Sequence, residues 1–74
     1  MQVIVWSKDN CQYCDMAKKL LNAKGVDFVE HNLSKGPWTK EDLLAAAPSA
    51  RSVPQIFFGE ECIGGYYELK ERLG

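Results

Sequence analysis

Two cysteines three positions apart, Cys11 and Cys14 in "DNCQYCDM", follow closely on the β-branched run "QVIVW" and open an amphipathic stretch. A strand that turns almost directly into a cysteine-led helix leaves few arrangements open to a chain of 74 residues. At that length there is material for one core only, and folding buries about 60 to 65% of the unfolded surface. Residues 1–74 are therefore expected to form a single domain.

The rest of the chain can be read outward from that junction. Gln2–Trp6 is short and almost wholly apolar, the pattern of a strand covered on both faces. From Cys11 to Lys24 the apolar positions Cys14, Ala17, Leu21 and Met16, Leu20, Ala23 recur at threes and fours, which predicts a helix. Asp9 or Asn10 is its expected cap, and Gly25 its stop. "VDFVEHN" sets Val26, Phe28 and Glu30 against Asp27, Val29 and His31, predicting a second strand. Thr39 with Asp42 three residues on forms an acidic capping box for a helix running to about Ala47. "PQIFF" and "ECIG" flank Gly59-Glu60 as a hairpin, and "GYYELKERL" closes the chain as a third helix. The order is βαβαββα. Strands joined through a helix favour a parallel pair, and a hairpin is antiparallel. A four-stranded mixed sheet flanked by three helices is the expected α/β architecture.

Composition removes several function classes. The net charge of −1, with Lys18, Lys19, Lys24, Lys35 and Lys40 spread among acids, gives no cationic face for nucleic acid. No apolar run approaches the roughly 18 residues of a membrane span, and the start lacks signal-peptide character. Three cysteines are too few for a disulfide-rich secreted scaffold. A cytoplasmic protein is expected, one in which paired cysteines do chemistry or bind metal.

The spacing has direct physical consequences. Residues three apart on a helix lie about 5 to 6 Å apart at Cβ, within reach of a disulfide after small adjustment. The first turn of a helix carries unpaired N–H groups equivalent to about half a positive charge. A free thiol is only about 3% ionised at neutral pH, and C-x-x-C settings raise that fraction by lowering the thiol pKa. Cys11 is thus the candidate nucleophile, Lys8 a cation near it, and Cys14 the second, deeper sulfur. A lone C-x-x-C also fits half of a zinc site. Structural zinc takes four protein ligands, and only Cys62 and His31 remain to complete a set, so no metal is expected.

Three stretches taken together are more specific than the cysteines alone: "CQYC" after the first strand, "RSVPQIFF" (Arg51–Phe58) and "IGGYYEL" (Ile63–Leu69). In that order they resemble the glutaredoxins of small bacterial or viral type, within the thioredoxin-fold superfamily, over nearly the whole chain. The resemblance implies a thioredoxin-like fold and a glutathione-dependent thiol–disulfide oxidoreductase acting through Cys11 and Cys14. It implies a cis Pro54, with the backbone of Val53 pairing an extended peptide. It further implies that Gly65, Tyr66 and Tyr67 receive the γ-glutamyl end of glutathione at a helix N-terminus. Lys8 and Tyr13, with Lys40 or Arg51, would face its glycine carboxylate and sulfur. Glutathione is then a co-substrate, the partners are disulfide-containing proteins such as ribonucleotide reductase, and the protein is a monomer.

Two positions depart from the resemblance. Gln12 stands where proline is more familiar, and members without that proline include carriers of an iron–sulfur cluster. Tyr67 stands where a small hydroxyl residue or Asp is usual, which leaves open a donor reduced by thioredoxin reductase. The remaining singled-out residues take structural roles: Cys62 a packed thiol, His31 a surface or loop histidine, Trp6 a packing residue, and Trp38 an anchor for the second helix.

Overall fold

A computed structural model describes residues 1–74. Its elements follow the expected order: β1 (Val3–Ser7), α1 (Gln12–Ala23), β2 (Val29–Asn32), α2 (Lys40–Ala46), β3 (Gln55–Phe58), β4 (Glu61–Gly64) and α3 (Tyr66–Leu73). The four strands form one sheet in the order β2-β1-β3-β4. β1 runs parallel to β2, with Ile4 beside Val29 and Ser7 beside Asn32. It runs antiparallel to β3, with Trp6 beside Gln55. β3 and β4 are antiparallel and joined through Gly59-Glu60, with Gly59 at φ 63°.

The apolar character of β1 follows from its central position. Side chains alternate across a strand, so Val3 and Val5 meet Ala17 and Leu21 of α1, Ile56 of β3 and Leu69 of α3. Trp6 points the other way, into a second cluster with Leu43, Ala47 and Phe57, flanked by Ile4 and Val53. Helices α1 and α3 therefore cover one face of the sheet and α2 the other. Leu21, Ile56 and Leu69 are wholly buried, and truncating a residue of that kind to alanine costs about 2–5 kcal/mol.

Two boundaries differ from expectation. The cap of α1 is Cys11 itself, in extended conformation, whereas Asn10 takes a left-handed turn at φ 57°. β2 begins at Val29 instead of Val26, because Val26 and Phe28 pack on the core from the preceding loop without entering the ladder. The inward phase of Val26, Phe28 and Glu30 is nevertheless kept. Helix α1 ends at Ala23 with Lys24 as its C-cap, and Gly25 follows at φ 69°. The capping box of α2 is present: Thr39 N–H donates to Asp42 Oδ2 (2.9 Å) and Asp42 N–H to Thr39 Oγ1 (3.2 Å).

The topology gathers the distinctive segments. β1 ends at Ser7, β3 starts at Gln55 and β4 ends at Gly64, and with this mixture of directions all three points fall on one edge of the sheet. The cysteine loop, the Val53-Pro54 bend and the Gly64-Gly65 corner leave from that edge.

Candidate active site

Cys11 and Cys14 are joined as a disulfide, with Cα atoms 5.2 Å apart. Cys11 holds the N-cap at φ −117°, ψ 104°, and its Sγ accepts the backbone N–H of Cys14 at 3.2 Å. A side-chain oxygen usually fills that capping role; here sulfur does, with the Cys14 N–H as its donor. Cys14 is wholly buried and Cys11 keeps a 9% exposed edge, so an approaching group reaches Cys11 first.

Beside the disulfide, the Val53-Pro54 peptide bond is cis. The Val53 carbonyl oxygen lies 3.7 Å from Cys11 Sγ. Neither the N–H nor the C=O of Val53 is used in a backbone hydrogen bond. Buried backbone groups are nearly always paired, whereas those of half-buried Val53 are left without a backbone partner. Val53 and Pro54 line a cavity of about 310 Å³ together with Tyr13, Gly65, Tyr66 and Tyr67. Six residues expected from the sequence are thus brought together.

The corner before α3 depends on its first glycine. Gly64 sits at φ 110°, and a Cβ there would approach the Glu68 side chain to 2.9 Å. A side chain at Gly65 would meet the Pro54 carbonyl at 3.4 Å. The Glu68 carboxylate turns back to accept the Gly65 N–H at 2.7 Å. Ser52, Gln55, Gly64 and Glu68 line the same cavity. Of these, Ser52 and Gln55 carry no signal in the sequence beyond their proximity to Pro54.

Lys8 goes elsewhere. It borders a second cavity of about 230 Å³ with Lys40 and Arg51 around Leu33, Leu43 and Leu44, and only Ser52 and Val53 line both spaces. The Tyr13 hydroxyl lies 3.3 Å from that of Tyr67. This hydrogen bond, then the proximity of the second phenol, raises the Tyr13 pKa above its ordinary value.

A polar cluster on the inner face of α1 is not apparent from the sequence. The hydroxyl of fully buried Ser7 donates to Glu30, which also accepts from Lys18 at 2.8 Å. Lys18 lies one turn beyond Cys14 on the helix. Burial opposes ionisation of Glu30, but the hydrogen bonds from Lys18 and Ser7 and the charges of Lys18 and Lys35 hold its carboxyl below the ordinary range. The Glu30 hydrogen bond raises Lys18 despite partial burial.

Two expected roles are corrected. Cys62 is exposed, its thiol donating at 3.6 Å to Gln55 Oε1, because β4 is an edge strand of the sheet. His31 is no loop residue: it stacks on Trp38 at 3.8 Å between centroids and meets the edge of Trp6 at 4.6 Å. Its Nδ1 is buried without a partner, and burial lowers its pKa, favouring the neutral ring. Trp38 accordingly anchors the start of α2 through His31 and Trp6. No three His, Cys, Asp or Glu side chains converge in a way that could hold a metal ion.

A four-stranded thioredoxin-like sheet, a C-x-x-C disulfide at the head of its first helix and a cis-proline loop against the sulfur define a dithiol protein of the thioredoxin-fold class. The glutaredoxin family model matches residues 3–63, and the chain belongs to the glutaredoxin family, whose members are thiol–disulfide oxidoreductases. It is 40% identical to a glutaredoxin of Pseudomonas aeruginosa over 97% of this chain and 87% of that one. Against a probable glutaredoxin of Synechocystis it is 35% identical, covering 92% of this chain and 62% of the relative. The crystal structure of a buckwheat glutaredoxin–glutathione complex superposes with a TM-score of 0.81 at 30% identity, over 95% of this chain and 66% of that one. The chain thus spans about two thirds of the length of those last two relatives. No helix is long and apolar enough to cross a membrane.

Proposed function

We propose that this glutaredoxin reduces protein disulfides and glutathione mixed disulfides, with glutathione restoring its own thiols. The observation that carries this reading is the N-cap sulfur: Cys11 Sγ accepts the Cys14 N–H, is bonded to Cys14, and lies beside the unpaired backbone of Val53.

In the reduced protein the same Cys14 N–H and the helix dipole favour the Cys11 thiolate. The thiolate attacks one sulfur of the substrate disulfide in line with the S–S bond. A new S–S bond forms to Cys11, and the other substrate sulfur leaves as a thiolate that takes up a proton. Cys14 then loses its proton, attacks Cys11 Sγ and closes the observed bridge, releasing the second substrate thiol. Two electrons have moved from the protein to the substrate. Two glutathione molecules reverse the change: one opens the bridge as a mixed disulfide on Cys11, the other removes it as glutathione disulfide. A glutathionylated substrate whose glutathione moiety is taken up by Cys11 needs no second cysteine.

Glutathione is peptide-like, and Val53 offers both a donor and an acceptor for its cysteinyl portion. In this reading the γ-glutamyl end lies toward Gly65, Tyr66 and Tyr67, with Tyr13 and Pro54 flanking the sulfur. The glycine carboxylate lies toward Lys8. The glutathione complex of the buckwheat relative supports the choice of ligand. A cytoplasmic, monomeric electron donor to disulfide-forming enzymes such as ribonucleotide reductase fits this chemistry. Comparing turnover with glutathione and with thioredoxin reductase assigns the reductant.

Two variants assayed on a glutathione mixed disulfide test the mechanism. Cys11→Ser is expected to lose all activity, whereas Cys14→Ser retains it on glutathionylated substrates and loses it on protein disulfides. Activity surviving in Cys11→Ser overturns the assignment of the nucleophile; equal loss in both variants overturns the single-cysteine route.

A further inference from the structure

Three tyrosines form a continuous aromatic surface beside the disulfide. The Tyr13 and Tyr67 ring centroids are 5.7 Å apart, Tyr66 is 5.4 Å from Tyr67, and Tyr66 is 6.1 Å from Tyr13. Tyr13 is 46% exposed and Tyr67 62%. The hydroxyl contact between these two ties the first turn of α1 to that of α3, so the wall they make has a defined shape. It bounds the cavity that also contains Val53 and Pro54.

The two sides of Val53 differ in chemistry. The lining on the tyrosine side contains no Lys or Arg, and its single carboxylate, Glu68, is turned onto the Gly65 N–H. On the other side stand Lys8, Lys40 and Arg51, none of them in an ion pair. An extended chain paired with Val53 sends successive side chains to opposite sides. An acidic side chain finds its counter-charges with the three cations. The tyrosine side offers aromatic faces and edges, which favour a ring in offset or edge-on contact.

We propose that Tyr13, Tyr66 and Tyr67 form a specificity subsite for protein disulfides that carry an aromatic side chain next to the attacked cysteine. The inference rests on Cys11 as the attacking sulfur and Val53 as the pairing backbone. The cavity then serves the two half-reactions in turn, an aromatic side chain of the protein substrate first and glutathione second. Tyr67 is the specificity-determining member, its ring being the most exposed of the three.

The test uses two cystine-loop peptides identical except for Phe or Ala beside the attacked cysteine, with hydroxyethyl disulfide as a small substrate. The readout is the ratio of kcat/KM for the two peptides, which cancels any general change in activity. The wild-type protein is expected to favour the Phe peptide by about two- to tenfold, the range an aromatic pair supplies beyond its buried area. Tyr67→Ser brings the ratio close to one, and Tyr67→Phe, which keeps the ring, preserves it. A wild-type ratio near one with normal turnover of hydroxyethyl disulfide overturns the subsite and leaves the oxidoreductase standing. A preference that persists in Tyr67→Ser also overturns it. No turnover of any of the three substrates removes the underlying reading as well.

Discussion

Ser7 is wholly buried, and the acceptor for its hydroxyl is a carboxylate on the neighbouring strand. Removing that acceptor leaves a buried donor unpaired, at a cost of about 1–3 kcal/mol, and leaves Lys18 without its closest anion. Glu30→Ala is therefore expected to lose that much stability at neutral pH in chemical denaturation. The sign with pH follows from the shifts. A carboxyl lowered from 4.5 contributes stability that is present above that value and lost as pH falls through the folded pKa. Lys18, raised from 10.5, contributes below that value and loses its contribution as pH rises through the folded pKa. The deficit of Glu30→Ala relative to wild type should shrink on acidification below about pH 4.5; a deficit unchanged in acid contradicts the assignment. This cluster was not legible in the sequence, because the inward phase of Glu30 is visible there and its partners on α1 and β1 are not.

Among the elements, the two helix starts show which local signals suffice. The α2 box lies within four residues, Thr39 to Asp42, and is specified by short-range chemistry alone. Thr39→Ala is expected to cost about 1 kcal/mol, measured by denaturation and followed through the fluorescence of adjacent Trp38. A change below a few tenths would show that the box contributes nothing. The α1 start is harder to read. Asp9 and Asn10 are conventional caps, but the left-handed turn at Asn10 shifts the role to Cys11. Sulfur is a weak acceptor and an unusual cap, and its use here puts the Cys14 N–H beside the sulfur that becomes an anion in the proposed mechanism. β2 shows the opposite difficulty: Val26 and Phe28 look like strand residues because they are buried, yet burial through a loop leaves the same pattern.

For the molecule as a whole, strand directions decide the site. Cys11, Val53 and Gly65 are 42 and 12 residues apart in the chain, and they converge because β1 and β4 end at the edge where β3 begins. The resemblance carried by the three motifs implied this convergence in advance, and the residue patterns made the βαβαββα architecture readable. The separation of Lys8 from the tyrosine cavity was not readable, since it depends on which side of Val53 each loop passes. Nor was the exposure of Cys62, which follows from the edge position of β4. The stacking of His31 on Trp38 is likewise a long-range packing result.

The account depends on α1 favouring a negative sulfur at its cap. Its most direct test is limited alkylation of the fully reduced protein at neutral pH with less than one equivalent of iodoacetamide, located by peptide mass spectrometry. The account predicts modification at Cys11 first, faster than free cysteine, with exposed Cys62 and buried Cys14 largely spared. Reaction at Cys62 ahead of Cys11, or a Cys11 rate no greater than that of free cysteine, would contradict it.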